Sequence, residues 1–391
     1  MRRVSVLAPL IASGCLLALA CERRPGSPVS SIRIDTLPSG AIFVHNSGPG
    51  RWAGSEAWRV EELLRIGVLE GDDAYVFGQI GALEVDAVGN IHVFDQHANE
   101  LRTFSPSGEH LRTVGRAGAG PGEFRGVVGM AFGPDGRLFV VDGTNARYTI
   151  VDGAGEITLI PRPSRRALPP MVGGFDGQGR FYDPTTQSVD GEFVDMLLEV
   201  GERGDVVRTH RIPRLEAQVI RLNGGGVSAS LPYAAKVLRA WDPRGGVWQA
   251  LSSAYTIARI GLNGDTVMVV SRDRQPVPLS PEQSEALANA ARQITAQFGG
   301  QVSDAETRKF VPPLRWFVPD DEGRLWVCAT GLEPCGEVDV FDSDGTFLGT
   351  VPLPTPVLDS PLPIVRKNTI YAAVEGPMGE AQVFVGRVVM D

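Results

Sequence analysis

Residues 85–108, VDAVGNIHVFDQHANELRTFSPSG, bring together side chains that can bind metals or move protons. His92 and His97 lie within a few residues of Asp86, Asp95 and Asn99. Imidazole and carboxylate groups are common metal ligands and common general acids and bases. A metal-binding or catalytic cluster is therefore the first hypothesis that the sequence raises.

The same pattern recurs along the chain, and this changes how the stretch is interpreted. A polar turn followed by an alternating apolar run occurs at 85–95, 133–142, 175–183, 241–250 and 319–329, with weaker copies at 37–46 and 366–374. A strand–turn–strand motif follows most of these copies, at 104–114, 151–160, 200–210, 260–270 and 341–351. Alternation predicts half-buried strands, and Gly, Asp and Asn supply the turns. Asp95 with Asn99, and Asp142 with Asn145, are therefore interpreted as turn residues of a repeated unit rather than as catalytic groups.

A unit of about 45 residues with four strands has the size of a β-propeller blade. The sequence predicts an all-β fold, a six-bladed β-propeller with blades near 79–115, 127–160, 171–212, 235–271, 314–352 and 362–389. The last blade lacks a strand, and the alternating segment 58–66 is expected to supply it and close the ring. Ser280 and Gln283 resemble a capping box, which predicts one inserted helix near 281–298 that packs over the propeller.

The second unit carries a family resemblance. Its residues Gly120-Pro121-Gly122-Glu123-Phe124, Asp135-Gly136, Asn145-Ala146-Arg147 and Val151-Asp152-Gly153 resemble the NHL repeat. The first unit matches less fully, with Glu100-Leu101 where the arginine is expected. The resemblance is strong over 79–160, moderate over 315–352 and faint elsewhere. It implies a six-bladed, NHL-like lipoprotein propeller of bacterial envelopes, with 115–124 as a linker between blades.

The N-terminal segment predicts export. Residues 1–20 have a basic start and a short apolar core, as in a lipoprotein signal peptide, and Cys21 would carry the lipid (palmitate). Residues 21–30 read as a flexible tether, and 31–391 as a single propeller domain. We expect a lipid-anchored protein of the outer membrane, facing the periplasm or the surface. In that oxidising compartment Cys328 and Cys335 predict a disulfide across a hairpin.

The histidines do not predict a metal site. Three of the five, His92, His97 and His110, belong to one blade, whereas a radial site needs ligands from several blades; the others are His45 and His210. No cofactor is predicted. The alternative function comes from the lactonases and gluconolactonases of this fold, which hold calcium through carboxylate and amide oxygens. Glu84, Asp86, Asn223 and Asn263 are the residues that could serve such a hydrolase or lyase.

Topology divides the loops between two faces. Tight turns form one face, and long loops at 96–99, 115–126, 161–170, 184–190, 213–234 and 272–313 form the other, here called the irregular-loop face. Irregular loops on a rigid scaffold usually carry function. The candidate binding residues there are His97, Arg116, Arg162, Arg165, Arg166 and Arg214, with Arg125 and Arg221 also on these loops.

We therefore expect a non-catalytic envelope propeller that binds a protein partner or a small, anionic ligand at the irregular-loop face. The net charge of −9 does not suggest nucleic acid as a partner, and the protein is expected to be a monomer.

Overall fold

The computed structural model describes residues 30–52, 57–164, 171–217, 220–222, 227–229, 231–298, 309–329 and 334–390. Cys21, Arg165, Arg166 and Asn223 lie outside these residues. Within them almost all of the regular secondary structure is β-strand, with one helix of more than a single turn, α1 (Pro281–Phe298). No helix in the described ranges combines the length and apolar character needed to cross a membrane.

The first three strands belong to blades formed much later in the chain. They are β1 (Ser31–Thr36), β2 (Ile42–Ser47) and β3 (Arg59–Ile66). Blade 1 consists of β4 (Ile80–Val85), β5 (Ile91–Asp95), β6 (Glu100–Phe104) and β7 (His110–Val114). Blade 2 consists of β8 (Val127–Phe132), β9 (Leu138–Asp142), β10 (Arg147–Val151) and β11 (Ile157–Pro161).

Blade 3 consists of β12 (Gly174–Phe175), β13 (Phe181–Val189), β14 (Glu192–Val200) and β15 (Val206–Ile212). A small hairpin, β16 (Ile220–Leu222) and β17 (Val227–Ala229), lies in the following linker. Blade 4 consists of β18 (Val237–Trp241), β19 (Val247–Leu251), β20 (Thr256–Ile260) and β21 (Thr266–Arg272).

Blade 5 consists of β22 (Trp316–Pro319), β23 (Leu325–Cys328), β24 (Cys335–Phe341) and β25 (Phe347–Val357). Blade 6 consists of β26 (Ile364–Arg366), β27 (Thr369–Glu375), β28 (Ala381–Val389) and the early strand β3. The described strands thus form the six blades that the sequence predicts.

The first strands of the blades contact one another in ring order. β4 lies against β8, β8 against β12, β18 against β22, β22 against β26, and β26 against β4. Between blades 3 and 4, Trp241 donates its Nε1–H to the carbonyl of Phe175 at 3.1 Å. A Cβ atom on Gly174 would lie 2.4 Å from that indole ring, so only glycine allows the two blades to approach this closely.

Strand β3 closes the ring, as predicted. It pairs antiparallel with β28, from Arg59 opposite Val389 to Ile66 opposite Val383. Val60 and Ile66 are buried, whereas the charged residues between them are on the outside. This pairing supplies the strand that blade 6 lacks and joins an early segment of the chain to the last strand.

The repeat copy at 37–46 has a different place from the other copies. It forms the expected turn, in which Leu37 N–H donates to the Ala41 carbonyl at 2.8 Å, but the turn joins β1 to β2. Strand β2 then pairs in parallel with β21, so the hairpin extends blade 4 outward to six strands. The copy is therefore an addition to an already complete blade rather than the first hairpin of a blade.

The turns between the first two strands repeat one geometry. In blade 2, Gly136 has a φ of +78° and donates to the carbonyl of Gly133, a left-handed conformation that suits glycine.

Apolar side chains of the strands alternate between the two faces of each blade. In blade 1, Phe94 and Leu101 pack toward blade 2, whereas Ile91 and Val93 pack toward blade 6. The core therefore consists of layers between neighbouring blades.

Two departures from the regular blade build up the irregular-loop face. Strands β13 and β14 continue to a turn at Asp190 and Gly191, so residues 184–189, predicted as a loop, extend the hairpin instead. Helix α1 begins with the predicted capping box, in which Ser280 N–H donates to Gln283 Oε1 and Gln283 N–H donates to Ser280 Oγ. Leu287 of the helix is buried against Leu231 and Ala234.

Candidate functional site

The repeated aspartates at the ends of the second strands hold backbone together. Asp95 accepts hydrogen bonds from the backbone N–H groups of Gly78 at 2.9 Å, Gln79 at 3.3 Å and His97 at 3.0 Å. Asp142 makes the equivalent contacts with Gly126 and Asn145. Each carboxylate thus fixes its own loop and the linker that enters the blade. These contacts are structural and leave little acceptor capacity for a substrate or metal.

The arginine of the NHL-like unit organises the linker between blades 1 and 2. Arg147 is buried and donates to the carbonyls of Ala119 at 2.6 Å and Gly120 at 2.9 Å. Blade 1 has an arginine in a similar role, because Arg102 donates to the carbonyl of Val76. Glu100 is the register equivalent of Arg147, so this arginine lies two residues later, on the same face of the strand.

The two histidines of the opening stretch have separate environments. His92 is buried, its Nδ1 lies 3.2 Å from Thr103 Oγ1, and its ring meets that of Phe132 edge-on with centroids 4.9 Å apart. Burial lowers the pKa of His92 to about 4, against the opposing effect of the Asp86 carboxylate. His97 is exposed on the irregular-loop face and covers the backbone at Gly78.

The remaining histidines and the calcium candidates are also dispersed. His45 Nδ1 pairs with Ser271 Oγ, and His210 Nδ1 lies 2.9 Å from the Leu262 carbonyl. Asp86 accepts from Val88 and Asn90 within its turn, and Asn263 contacts Asp265 in another turn. Among the described residues, no group of three or more His, Cys, Asp or Glu side chains is placed to hold a metal ion.

Glu84 has an unusual environment among the calcium candidates. It is half-buried on β4, the innermost strand of blade 1, and accepts a hydrogen bond from its neighbour Val85 N–H at 2.9 Å. Burial raises the pKa of Glu84 to about 7, although that hydrogen bond and the Arg366 guanidinium oppose the increase. This carboxyl can therefore be protonated near neutral pH.

The described candidate arginines differ widely in exposure, and each has an acidic partner. Arg116 has a side chain 79% exposed and pairs with Glu123 at 2.8 Å. Arg162 is buried and donates from Nε and Nη2 to the two oxygens of Asp183, at 2.6 and 2.8 Å. Tyr148 also donates to Asp183. Arg162 therefore joins blades 2 and 3. Its charge was expected on the surface, but the side chain is buried, where a guanidinium group needs a carboxylate to compensate its charge.

The junction between blades 3 and 4 has a different charge balance. Arg214 donates to Asp195 Oδ1 at 2.9 Å, and Arg239 donates to Asp195 Oδ2 at 2.7 Å. Thr186 also donates to Oδ1. Two guanidinium groups thus share one carboxylate, which leaves an excess of positive charge. Burial lowers the pKa of Arg239, and the nearby Arg214 lowers it further, while Asp195 acts in the opposite direction.

One arginine of this junction is buried, and the other is partly exposed to solvent. Arg239 is only 4% exposed, whereas the Arg214 side chain is 40% exposed and lies 5.7 Å from the centre of the Phe193 ring. Gln249 is the cross-strand neighbour of Arg239. Arg239 Nε and Gln249 Oε1 are buried without a hydrogen-bond partner among the described residues. We call Asp195, Arg214, Arg239 and Gln249 the Asp195 cluster.

A second concave feature lies beneath the insertion that carries α1. Residues 277–279 and 309–311 hydrogen-bond as a short stem, with Val311 N–H donating to the Val277 carbonyl at 2.9 Å. The stem borders a cleft of about 350 Å³, and Val277 and Phe310 are half-exposed on its wall. Arg272, Arg274 and Tyr255 also line it, but all three are directed at Asp339.

The predicted disulfide is present. Cys328 ends β23 and Cys335 begins β24, and their Cα atoms are 6.0 Å apart with the sulfurs bonded. The bond links the end of the second strand of blade 5 to the start of its third strand. Ala329, the next residue after Cys328, lines the cleft beneath the insertion.

Comparison with known proteins agrees with this architecture. Residues 60–147 match the model of a family described as a 6-bladed β-propeller. A solved protein from Bacteroides fragilis, described as exported, has a TM-score of 0.52 and 10% identity, and covers 89% of this chain and 99% of its own. A gluconolactonase from Xanthomonas campestris has a TM-score of 0.42 and 14% identity, covering 80% of this chain and 88% of its own. No curated protein matches the sequence significantly.

The fold is thus a six-bladed β-propeller. The Asp195 cluster could not be found from the sequence, because Asp195 and Arg239 lie 44 residues apart on different blades. Of the predicted binding residues that the structure describes, Arg214 is the one that belongs to it. His97 and Arg116 contact the linkers next to them, and Arg162 pairs with Asp183 of the next blade.

Proposed function

We propose that this protein is an exported, lipid-anchored β-propeller that binds, without catalysing a reaction, a small ligand or protein partner through an anionic group at the Asp195 cluster. One observation carries the proposal: two arginines share a single carboxylate there, and the buried one, Arg239, keeps an Nε–H without a hydrogen-bond partner among the described residues. At the junction of blades 2 and 3, by contrast, the Arg162–Asp183 pair balances its charges. Guanidinium groups match carboxylate and phosphate oxygens in both charge and geometry.

The cluster also has the accessibility that binding requires. Arg214 is partly exposed beside Phe193, whose ring is 51% exposed. An anion can therefore contact Arg214 from solvent. The buried Arg239 adds to the positive electrostatic potential at that position. The partnerless Arg239 Nε is a further donor at the same place. An aromatic ring beside a guanidinium also suits a ligand that has an apolar part next to its anionic group.

Export and lipid anchoring are supported by observations other than the Asp195 cluster. The signal-like residues 1–20 and Cys21 support them, as does the similarity in fold to a protein described as exported. The outer membrane is the proposed location. Labelled palmitate should enter the wild-type chain in a Gram-negative host, and Cys21→Ser should abolish that labelling.

Binding can be tested with defined anions. Calorimetric titration of the protein with phosphate, succinate and an acidic hexapeptide, each beside a neutral analogue, should reveal binding of at least one anion. Arg214→Gln should weaken that binding about tenfold or more, since a hydrogen bond to a charged group contributes roughly 1.5 to 3 kcal/mol.

Arg116→Gln is the matched control. It removes an arginine of the same face that is more exposed and is also paired with a carboxylate. It should leave affinity unchanged. Equal losses in both variants would indicate general electrostatic attraction, and an absence of binding by every anion would refute the proposal.

A further inference from the structure

Among the strands that the structure describes, β1 has one edge without a partner strand, and this edge lies outside an already complete blade. Blade 4 has four strands without it, and the β1–β2 hairpin adds two more through the parallel pairing of β2 with β21. β1 is thus the last strand of its sheet. Ile32 and Ile34, on one face of β1, are 44% and 61% exposed. An exposed edge with apolar residues favours pairing with another strand.

The outer strands of the other blades are less suited to pair with a copy of themselves. Strand β25 contains three prolines, and β11 ends in one. Strands β7 and β15 carry basic residues without acidic ones. Strand β3 places Glu61 and Glu62 together at its centre, so like charges would meet. Strand β1 contains no proline and carries one charge of each sign, Arg33 and Asp35.

The sequence of β1, SIRIDT, is self-complementary in one antiparallel register. With a two-fold axis at Ile34, the two Ile34 side chains face each other and each Ile32 faces Thr36 of the other copy. On the opposite face, each Arg33 lies across from Asp35 of the other copy. Centring the pair on Arg33 or on Asp35 would place like charges directly opposite, which is unfavourable.

The sequence alone led us to expect a monomer, but the edge of β1 favours a dimer. We propose that two copies of this chain pair through antiparallel β1 strands centred on Ile34, so that the outer sheet of blade 4 continues across a two-fold axis. Antiparallel pairing of identical strands gives a closed dimer, whereas parallel pairing could not close. Arg33 Nε and Asp35 Oδ2 are already 2.6 Å apart within one copy, so the dimer would contain a network of four charges. The contact is about 20 Å long and small, which is typical of a reversible dimer.

Disulfide trapping of the full chain tests the register. Opposed residues of an antiparallel pair have Cα atoms about 4.5 to 5.5 Å apart, within the range for a disulfide. Ile34→Cys should therefore form a covalent dimer under mild oxidation, beyond the level of the wild-type chain with its native cysteines. Ile32→Cys is the matched control, because it lies on the same strand and face but would be distant from its own copy.

A charge exchange tests the pairing without any cross-link. Arg33→Asp and Asp35→Arg should each lower the dimer fraction seen by sedimentation at high micromolar concentration. The double variant should restore it, since it exchanges the partners. Thermal melting confirms that each variant is folded.

Several results would overturn the proposal. A wild-type chain that stays monomeric at every concentration would do so, as would equal cross-linking of the Ile34→Cys and Ile32→Cys variants. A double variant as weak as the singles would exclude this register. None of these results depends on the Asp195 cluster, which belongs to the irregular-loop face rather than to the outer edge of blade 4.

Discussion

Arg239 of blade 4 donates a hydrogen bond of 2.7 Å to Asp195 of blade 3, and both side chains are buried. Removing one member of such a pair leaves the other charge buried without compensation. Asp195 is also the acceptor for Arg214 and Thr186, so three side chains depend on one carboxylate. The carboxylate is therefore expected to matter for stability as well as for any ligand.

The first prediction concerns that carboxylate. Asp195→Asn should lower the free energy of unfolding by about 3 kcal/mol, because two guanidinium groups lose their only charged acceptor. Chemical denaturation measures this. Asp135→Asn is the control, since Asp135 forms an exposed pair with Arg137 at 2.6 Å and such pairs contribute about 0 to 1 kcal/mol. Similar small losses in both variants would contradict the prediction.

The second prediction concerns the linker between blades 1 and 2. Arg147→Lys should destabilise the protein by about 2 kcal/mol, because an ammonium group cannot reach the several carbonyls that the guanidinium binds. Hydrogen exchange should become faster in residues 115–126. Arg137→Lys, on the exposed turn of the same blade, should change neither quantity. Unaltered exchange in the linker would show that the loop holds its own conformation.

The third prediction concerns pH. The pKa of His92 is about 4 in the folded protein, below its ordinary value of 6.5, so the folded state favours the neutral ring. The resulting contribution to stability is full above pH 6.5 and decreases as the pH falls toward 4, where the unfolded chain binds a proton that the folded chain does not.

His92→Phe should therefore remove part of the acid sensitivity, by on the order of 2 to 3 kcal/mol between pH 7 and pH 4. Phenylalanine suits the site because Phe139 occupies the same position in blade 2. Denaturation curves of both proteins over that pH range measure the difference. Parallel pH profiles would mean that His92 does not titrate as the burial of its ring requires.

The sequence predicted the architecture well because propeller blades are specified locally. Turn glycines, alternating strands and a capping box are all readable within about 45 residues, and closure by residues 58–66 followed from the strand that blade 6 lacked. The repeat copy at 37–46 forms the predicted turn, but the sequence did not predict which blade its strands would join. A turn motif does not specify which sheet edge the following strand pairs with. The parallel pairing of Val44 with Val270 joins residues that are far apart in the sequence.

Side-chain partners were harder to predict for the same reason. The burial of Arg162 depends on Asp183 in the next blade, and the Asp195 cluster depends on residues of two blades and a linker. Composition drew attention to arginines on the irregular loops. It could not show which of them are neutralised, because that depends on carboxylates brought close only by the folded ring.

The pairing of β3 with β28 has a consequence for how the chain is made. Protein synthesis proceeds from the N-terminus, so β3 emerges before blade 1, and its partner, residues 381–389, emerges only after blade 5. Blade 6 cannot form until these residues have been translated. Until then the nascent chain carries an open ring with an unpaired strand at one end. Early truncation should therefore yield an unclosed, aggregation-prone fragment rather than a smaller propeller.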